Sequence, residues 1–322
     1  MKSNYFSKVV FIIINYKKGE IKMIRYIFLV LNLVFCLGVS VAESNIKFIY
    51  NPSDGVEFIE TMRMKKVQDL GKRGIVTDEI TGTAEVTIVK KDDGFEMTAT
   101  LLSMETKRNG QKLNDPISSM LVNLSIKYLL DHEGQLISIS GYDQLIDKIN
   151  SQLPPQMAQA LSSVMNEEAM INKDAAEYDG RIGQFVGKEV KIGDAWQTQS
   201  QFPMPTGELI NFNRITGFKE KANCGDGSCI KIEYVYDSDP AKLNGFSSQF
   251  SNIIDVLSKG EFETNLSELK VSGKGSCLVD PKTMLLYDET MSRVITMFME
   301  IPGEGKVLTT MKEEREYTRD YK

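Results

Sequence analysis

His132 is the only histidine in the chain, and its neighbours decide what chemistry it can do. Asp131-His132-Glu133-Gly134 is built from turn-forming residues, which places the imidazole at a hairpin tip facing solvent. A nucleophile–His–acid arrangement needs that ring buried beside an activated Ser or Cys. Metal-assisted hydrolysis needs further ligands, and neither a second histidine nor an HExxH helix is present. Asp92-Asp93 runs into Gly94 and reads as turn chemistry rather than a carboxylate dyad. Glu167-Glu168 are adjacent on a helix and point apart. Gly183 to Lys188 has glycines too closely spaced for a phosphate loop, and Glu189 stands where Ser or Thr would bind Mg²⁺. No catalytic residue, metal site or cofactor is expected, and the chain reads as a non-enzyme.

The thiols point to a compartment. Asn223-Cys224-Gly225-Asp226-Gly227-Ser228-Cys229 is a tight loop rich in turn formers, and a disulfide between Cys224 and Cys229 across its base fits an exported protein. Zinc would need ligands beyond Cys277 and one histidine. Cys277, in Ser276-Cys277-Leu278-Val279, reads as a buried strand thiol. The export signal lies at Met23-Ile24-Arg25, followed by an apolar run from Ile27 to Val39 and the small-residue site Ser40-Val41-Ala42. Cleavage is expected after Ala42, with residues 1–22 an upstream extension. The Val9 to Ile14 run is far short of the roughly 20 residues of a membrane span. Bulky Phe35 before Cys36 argues against lipidation, and no span is expected in the mature chain.

Removing that leader takes away Lys2, Lys8, Lys17, Lys18, Lys22 and Arg25 against Glu20 alone. The net charge of the whole chain is already −6, so the mature protein is more acidic still. Such a surface repels phosphate backbones, and nucleic acid is excluded as a partner.

Two amphipathic helices form the centre of the chain. Leu145, Ile146, Ile149 and Leu153 share one helix face, and Pro154-Pro155 ends it. Met157, Leu161, Val164, Met165 and Ile171 mark a second helix running to about Asn172. Alternation predicts strands before this block at Val56–Met64, Thr83–Val89, Phe95–Leu101, Leu124–Leu130 and Leu136–Ile139. After it, Arg181 to Ile192 reads as a connector, and a strand opens at Trp196. Leu209–Phe218 and Ile230–Tyr236 read as a hairpin through the cysteine loop. Asp239-Pro240 then caps an amphipathic helix carrying Leu243, Phe246, Phe250 and Leu257. Strands follow at 262–271, 275–279, 284–287, 295–301 and 307–311, while the charged end from Lys312 to Lys322 is expected to fray.

Several motifs are similar to an uncharacterised family of bacterial exported proteins known only as a domain of unknown function. They are Tyr128-Leu129-Leu130-Asp131-His132-Glu133-Gly134-Gln135-Leu136, Gly141-Tyr142-Asp143-Gln144-Leu145, Val190-Lys191-Ile192-Gly193-Asp194-Ala195-Trp196 and Asp280-Pro281-Lys282-Thr283. The resemblance implies export and a β-rich fold, and no catalytic residue. More distantly, strands interrupted by covering helices resemble the half-barrels of periplasmic lipoprotein carriers.

The expected fold is therefore α+β. A mostly antiparallel, curved, half-barrel-like sheet is covered on its concave side by helices at 142–172 and 240–258. After the leader at 1–42, two similar β-rich halves are expected at 43–176 and 177–322. The expected role is a periplasmic or secreted envelope protein that holds an apolar or lipid-like ligand between sheet and helices. Trp196, Met157, Leu161, Met165, Phe246 and Phe250 are the candidate ligand contacts. The alternative is a fully packed envelope protein that binds another protein.

Overall fold

The computed structural model describes residues 45–322 apart from 72–73, 115, 154, 156–157, 160–165, 204–208, 226, 239–265 and 302–304. The leader, the 240–258 helix, and Met157, Leu161, Met165, Phe246 and Phe250 lie outside the described residues. In chain order, β1 (Ile46–Lys47) precedes a meander of β2 (Val56–Asp69), β3 (Ile75–Lys91) and β4 (Gly94–Arg108), with β5 (Gln111–Lys112) beside β4. Helix α1 (Pro116–Leu121) leads to β6 (Ser125–Leu130) and β7 (Leu136–Ser140). Helices α2 (Asp143–Gln152) and α3 (Glu167–Arg181) follow. A 3₁₀ turn over Gly183–Phe185 enters β8 (Glu189–Val190), which pairs with β1. The rest is strand: β9 (Ala195–Pro203), β10 (Leu209–Cys224), β11 (Gly227–Ser238), β12 (Leu266–Val279), β13 (Leu286–Ile301) and β14 (Gly305–Tyr321).

Apart from the β1–β8 pair, the described strands form one antiparallel sheet in the order β7-β6-β4-β3-β2-β14-β13-β12-β11-β10-β9, with β5 on β4. Nearly every neighbour along the chain is a hairpin partner, which is the short-connection rule of antiparallel sheets. Longer connections join β4 to β6 and β11 to β12, and at the central join β2, near the start of the described chain, pairs with β14 at its end. The sheet does not close, since β7 and β9 are its two ends. Helix α3 packs against both of them and spans the gap. The result is the expected α+β curved sheet with a helix on its concave side.

Strand alternation sorts the side chains. Phe58, Glu60 and Met62 of β2 share the concave face with Tyr321, Arg319 and Tyr317, their partners on β14. Arg63 and Glu316 are opposite each other on the convex face and half exposed or more. Lys65, Glu79 and Glu314 have the same outward, exposed setting. Among the described residues no helix is long and apolar enough to cross a membrane.

Two apolar clusters hold the rest. One stoppers an end of the half-barrel with Phe48, Phe185, Phe218, Ile230, Ile232 and Val279, all nearly or fully buried. The other seats α2 on β6 and β7 through Leu145 and Ile149, the face read from helical spacing. The loop cysteines form the expected disulfide, Cys224–Cys229, and Cys277 is a buried free thiol.

Several boundaries differ from expectation. The connector reading of Arg181 fails because α3 continues to that residue. Its concave-side contacts are made by Asp174, Glu177 and Arg181, so apolar periodicity could not mark them. The end from Lys312 to Lys322 does not fray but completes β14 in the middle of the sheet. Its inward charges are paired rather than solvated. The described part of the strands expected at 262–271 and 275–279 is one strand, β12, and those expected at 284–287 and 295–301 are also one, β13.

Gly273 and Gly275 interrupt the side-chain row of β12 for a steric reason. A Cβ at Gly275 would lie 2.4 Å from the Tyr234 ring and 2.6 Å from the Thr290 carbonyl oxygen. Tyr234 and Tyr236 lie across these glycines and floor the concave face. We therefore expect Gly275→Ala to cost about 1–3 kcal/mol through overpacking, read as a lowered urea midpoint with an unchanged slope.

Candidate functional site

A cavity of about 130 Å³ lies between α3 and the concave face of β2, β3, β4 and β14. Phe58, Val86, Ile88, Met97 and Ala99 form an apolar wall, continued by Met284 and Leu286 from the turn before β13. The rest of the lining is charged, with Glu60 and Arg319 from the sheet and Asp174, Glu177 and Arg181 from α3. The tyrosines around it show their rings and send their hydroxyls elsewhere. Tyr321 donates to the Leu286 carbonyl at 2.5 Å and Tyr178 to the Gly134 carbonyl at 2.7 Å. Tyr128 donates to Asp174 at 2.9 Å, and Tyr142 makes a shorter bond to the same oxygen. Burial, then the Asp174 charge, pushes both hydroxyls well above the ordinary tyrosine range, so they remain donors.

The charged wall is a cross-linked cluster. Arg181, at the last turn of α3, donates from Nε to Glu289 of β13 at 2.7 Å and from Nη2 to Glu60 of β2 at 3.4 Å. Its position at a helix C-terminus suits a cation, and its guanidinium lies 4.6 Å over the Tyr317 ring. Arg319 Nη2 is 2.5 Å from Glu60 and 3.7 Å from Glu289. Burial alone would raise the Glu60 pKa, but Arg181 and Arg319 outweigh it and hold the carboxyl below its ordinary range. Farther along, Glu313 takes Arg293 at 2.8 Å and Arg315 at 2.5 Å. Burial raises its pKa too, and the two guanidiniums again win. Arg214 of β10 stacks at 4.0 Å on Tyr234 and donates to the Gly180 carbonyl at 2.8 Å, tying α3 to the far side of the sheet.

A second depression, of about 740 Å³, crosses six strands from β3 to β11. Outward rows such as Arg63, Glu316, Thr290 and Glu233 form its walls. It is wide and open to solvent, so the smaller cavity is the better-formed site.

The residues singled out from sequence are placed as follows. Trp196 is half-buried in the aromatic stopper, with its ring 4.6 Å from Phe218 and 5.9 Å from Phe185, and Lys188 4.3 Å above it. It does not line the cavity. Met97 of β4 does. His132 is exposed at its turn. Burial and the Glu289 charge push the Cys277 thiol up to about 12, far from a nucleophilic thiolate. Among the described residues no cluster of His, Cys, Asp and Glu could hold a metal ion. Glu60, Arg181, Glu289 and Arg319 were not singled out, although Glu60 shares its strand register with Phe58 and Met62. An acid in an otherwise apolar alternating row was the signal available.

A family model described as a family of unknown function (DUF6263) matches residues 81–218, from β3 into β10. Three of the four motifs that carried the family resemblance fall within that span, and Asp280–Thr283 lies beyond it. A comparison with curated protein sequences finds no match. Among solved structures, lipovitellin, in a structure concerned with its lipid–protein interactions, is 8% identical with a TM-score of 0.45. That likeness covers 83% of this chain but 25% of lipovitellin, so the chain spans about a quarter of that protein's length. A Bacteroides fragilis protein of YmcC-like fold with a provisional export assignment is 9% identical, with a TM-score of 0.22 over 83% of this chain and 97% of that one. DynF, from the dynemicin pathway of Micromonospora chersina, is 8% identical, with a TM-score of 0.21 over 87% of both chains. These likenesses are too distant to assign a ligand.

Arg319 has only 2% of its side chain exposed, and its loss leaves the buried Glu60 and Glu289 carboxylates with Arg181 alone. Arg319→Met should cost about 3–5 kcal/mol at neutral pH. The depressed Glu60 and Glu313 pKa values set the sign with pH. Their contribution is fully present above the ordinary carboxylate value of 4.5 and is lost as pH falls through the lower folded values. Urea titrations from about pH 6 down to about pH 3 should show native stability falling, with proton uptake on unfolding.

Proposed function

We propose that the protein is an exported, non-catalytic binding module of the cell envelope that holds a small apolar or lipid-like group between α3 and the sheet. The cavity under α3 carries this reading, because it joins apolar lining to a charged cluster. Export is supported by the leader features at residues 23–42 and by the Cys224–Cys229 disulfide, which persists in oxidising compartments.

The size of the cavity limits the occupant. At 130 Å³ it is close to the engineered cavity of about 150 Å³ that takes one benzene. A chain end of about six carbons fits, and a whole lipid does not. Burying that many methylenes at about 0.8 kcal/mol each supports roughly millimolar binding. A tighter or larger guest requires α3 to move. A second reading, a protein-binding scaffold with a filled interior, is favoured by the ion pairs that occupy the space from Arg181 to Arg293.

Native mass spectrometry of the purified protein separates the two. The binding module should carry a released small-molecule mass, and Ala99→Phe, which fills the apolar wall, should remove it while leaving circular dichroism unchanged. A bare mass in the unmodified protein would favour the scaffold.

A further inference from the structure

Resting on the reading of the cavity as a ligand site, we infer that the Cys224–Cys229 disulfide completes its apolar lining, so that the oxidised protein binds its guest more tightly than the reduced one. An unbroken run of contacts joins the two. The disulfide closes the β10–β11 turn, and both cysteines are buried, at 5% and 0% exposure. Gly225 inside that turn takes a left-handed φ of +53°, and a Cβ there would lie 3.6 Å from the Tyr287 ring. Tyr287 thus rests on the turn. Its ring centroid is 4.9 Å from that of Tyr321, which is in turn 4.9 Å from that of Phe58. Tyr321 also donates to the carbonyl of Leu286, the residue before Tyr287. Phe58, Leu286 and Tyr321 all line the cavity.

The bond matters because of what it encloses. Gly225 and Gly227 have no Cβ to restrict them, so an open turn populates many backbone shapes. With the bond closed, both ends of the turn are fixed and Gly225 has one position under Tyr287. With it open, Tyr287 loses that support, and Tyr321 loses the firm placement of one of the two rings beside it. Packed side chains pass such a change along because each has few arrangements. Thiols are kept reduced in the cytosol and pair in oxidising compartments. The guest site of an exported chain therefore reaches its final shape only after export.

The test follows the carbon-13 methyls of Met97 and Met284, which line the cavity, while benzene, a probe of suitable size, is titrated into the purified protein. Dithiothreitol passes two electrons and two protons to Cys224 and Cys229, leaving two thiols here and a cyclic disulfide in the reagent. Reduction should weaken benzene about two- to tenfold, the scale of one lost aromatic contact, and should move the Met284 methyl before any benzene is added. Tyr287→Leu with the disulfide intact should lower affinity to the same level, and reduction should then change nothing further. Cys224→Ser/Cys229→Ser repeats the comparison without reagent. Should either reduced form fail to fold, Tyr287→Leu decides alone, and unchanged affinity there overturns the coupling. Equal affinity in the oxidised and reduced protein overturns it too and leaves the binding module intact. A Tyr287→Leu protein that still weakens on reduction overturns the route through Tyr287. If benzene moves neither methyl in the oxidised protein, the cavity is not a ligand site and both readings fall.

Discussion

The meeting of Arg181 and Arg319 with Glu60 and Glu289 is the constraint on which the rest of the architecture depends. These groups come from α3, β14, β2 and β13, so one cluster joins the helix to both sides of the sheet's central seam. Buried charges are poor sources of stability, since desolvation consumes most of their mutual attraction. Their effect is on uniqueness. A one-residue slip between β2 and β14 would turn one partner outward and leave the other buried alone. The register Glu60↔Arg319 is therefore guarded by a penalty against every neighbouring register. That guard matters most here, because β2 and β14 are distant in sequence and no hairpin turn fixes their alignment.

The same cluster explains how a helix of modest apolar content sits inside a half-barrel. Only Ala169, Met170 and Tyr178 of α3 are buried. Its hold comes from side-chain links to four places: Asp174 to Tyr128 and Tyr142, Tyr178 to the β6–β7 turn, Gly180 to Arg214, and Arg181 to the seam. The turn at Gly134 (φ +85°) is shaped for this, since a Cβ there would lie 2.3 Å from the Tyr50 ring. The aromatic stopper at one end supplies the apolar burial that α3 does not.

Sequence patterns located the elements whose burial is apolar. The hairpin turns at Asp92-Asp93-Gly94 and Asn109-Gly110, the α2 face of Leu145 and Ile149, and the disulfide loop all follow from local rules. What stayed hidden was polar burial. The inward row of β14 is Glu313, Arg315, Tyr317, Arg319 and Tyr321, which reads as a solvated tail unless its partners on β2 and β13 are known. The last turns of α3 were obscured for the same reason. A hydropathy pattern weighs each charge against water, whereas these charges meet one another across separations such as 20 residues (Arg293 to Glu313) and 121 (Glu60 to Arg181), which periodicity does not carry. The cavity inherits that blind spot, because half of its wall is this network.

Polarity of the helix seat also bears on whether a guest can enter. Lifting a helix held by apolar contact exposes surface at about 25 cal/mol per Å², and water offers nothing in return. Lifting α3 breaks mainly hydrogen bonds and ion pairs, whose net worth is about 0.5–1.5 kcal/mol each once water takes their place. The Asp174, Gly180 and Tyr178 links are of that kind. The seam is different, because α3 carries away only Arg181 and leaves Glu60 and Glu289 to Arg319. Since Arg319 belongs to the sheet, the carboxylates keep a cation in the open state. That arrangement lowers the cost of opening below that of breaking an isolated buried pair. Two arginines on two carboxylates, one fixed in the sheet and one carried by the helix, would thus let α3 lift without leaving Glu60 and Glu289 unpaired.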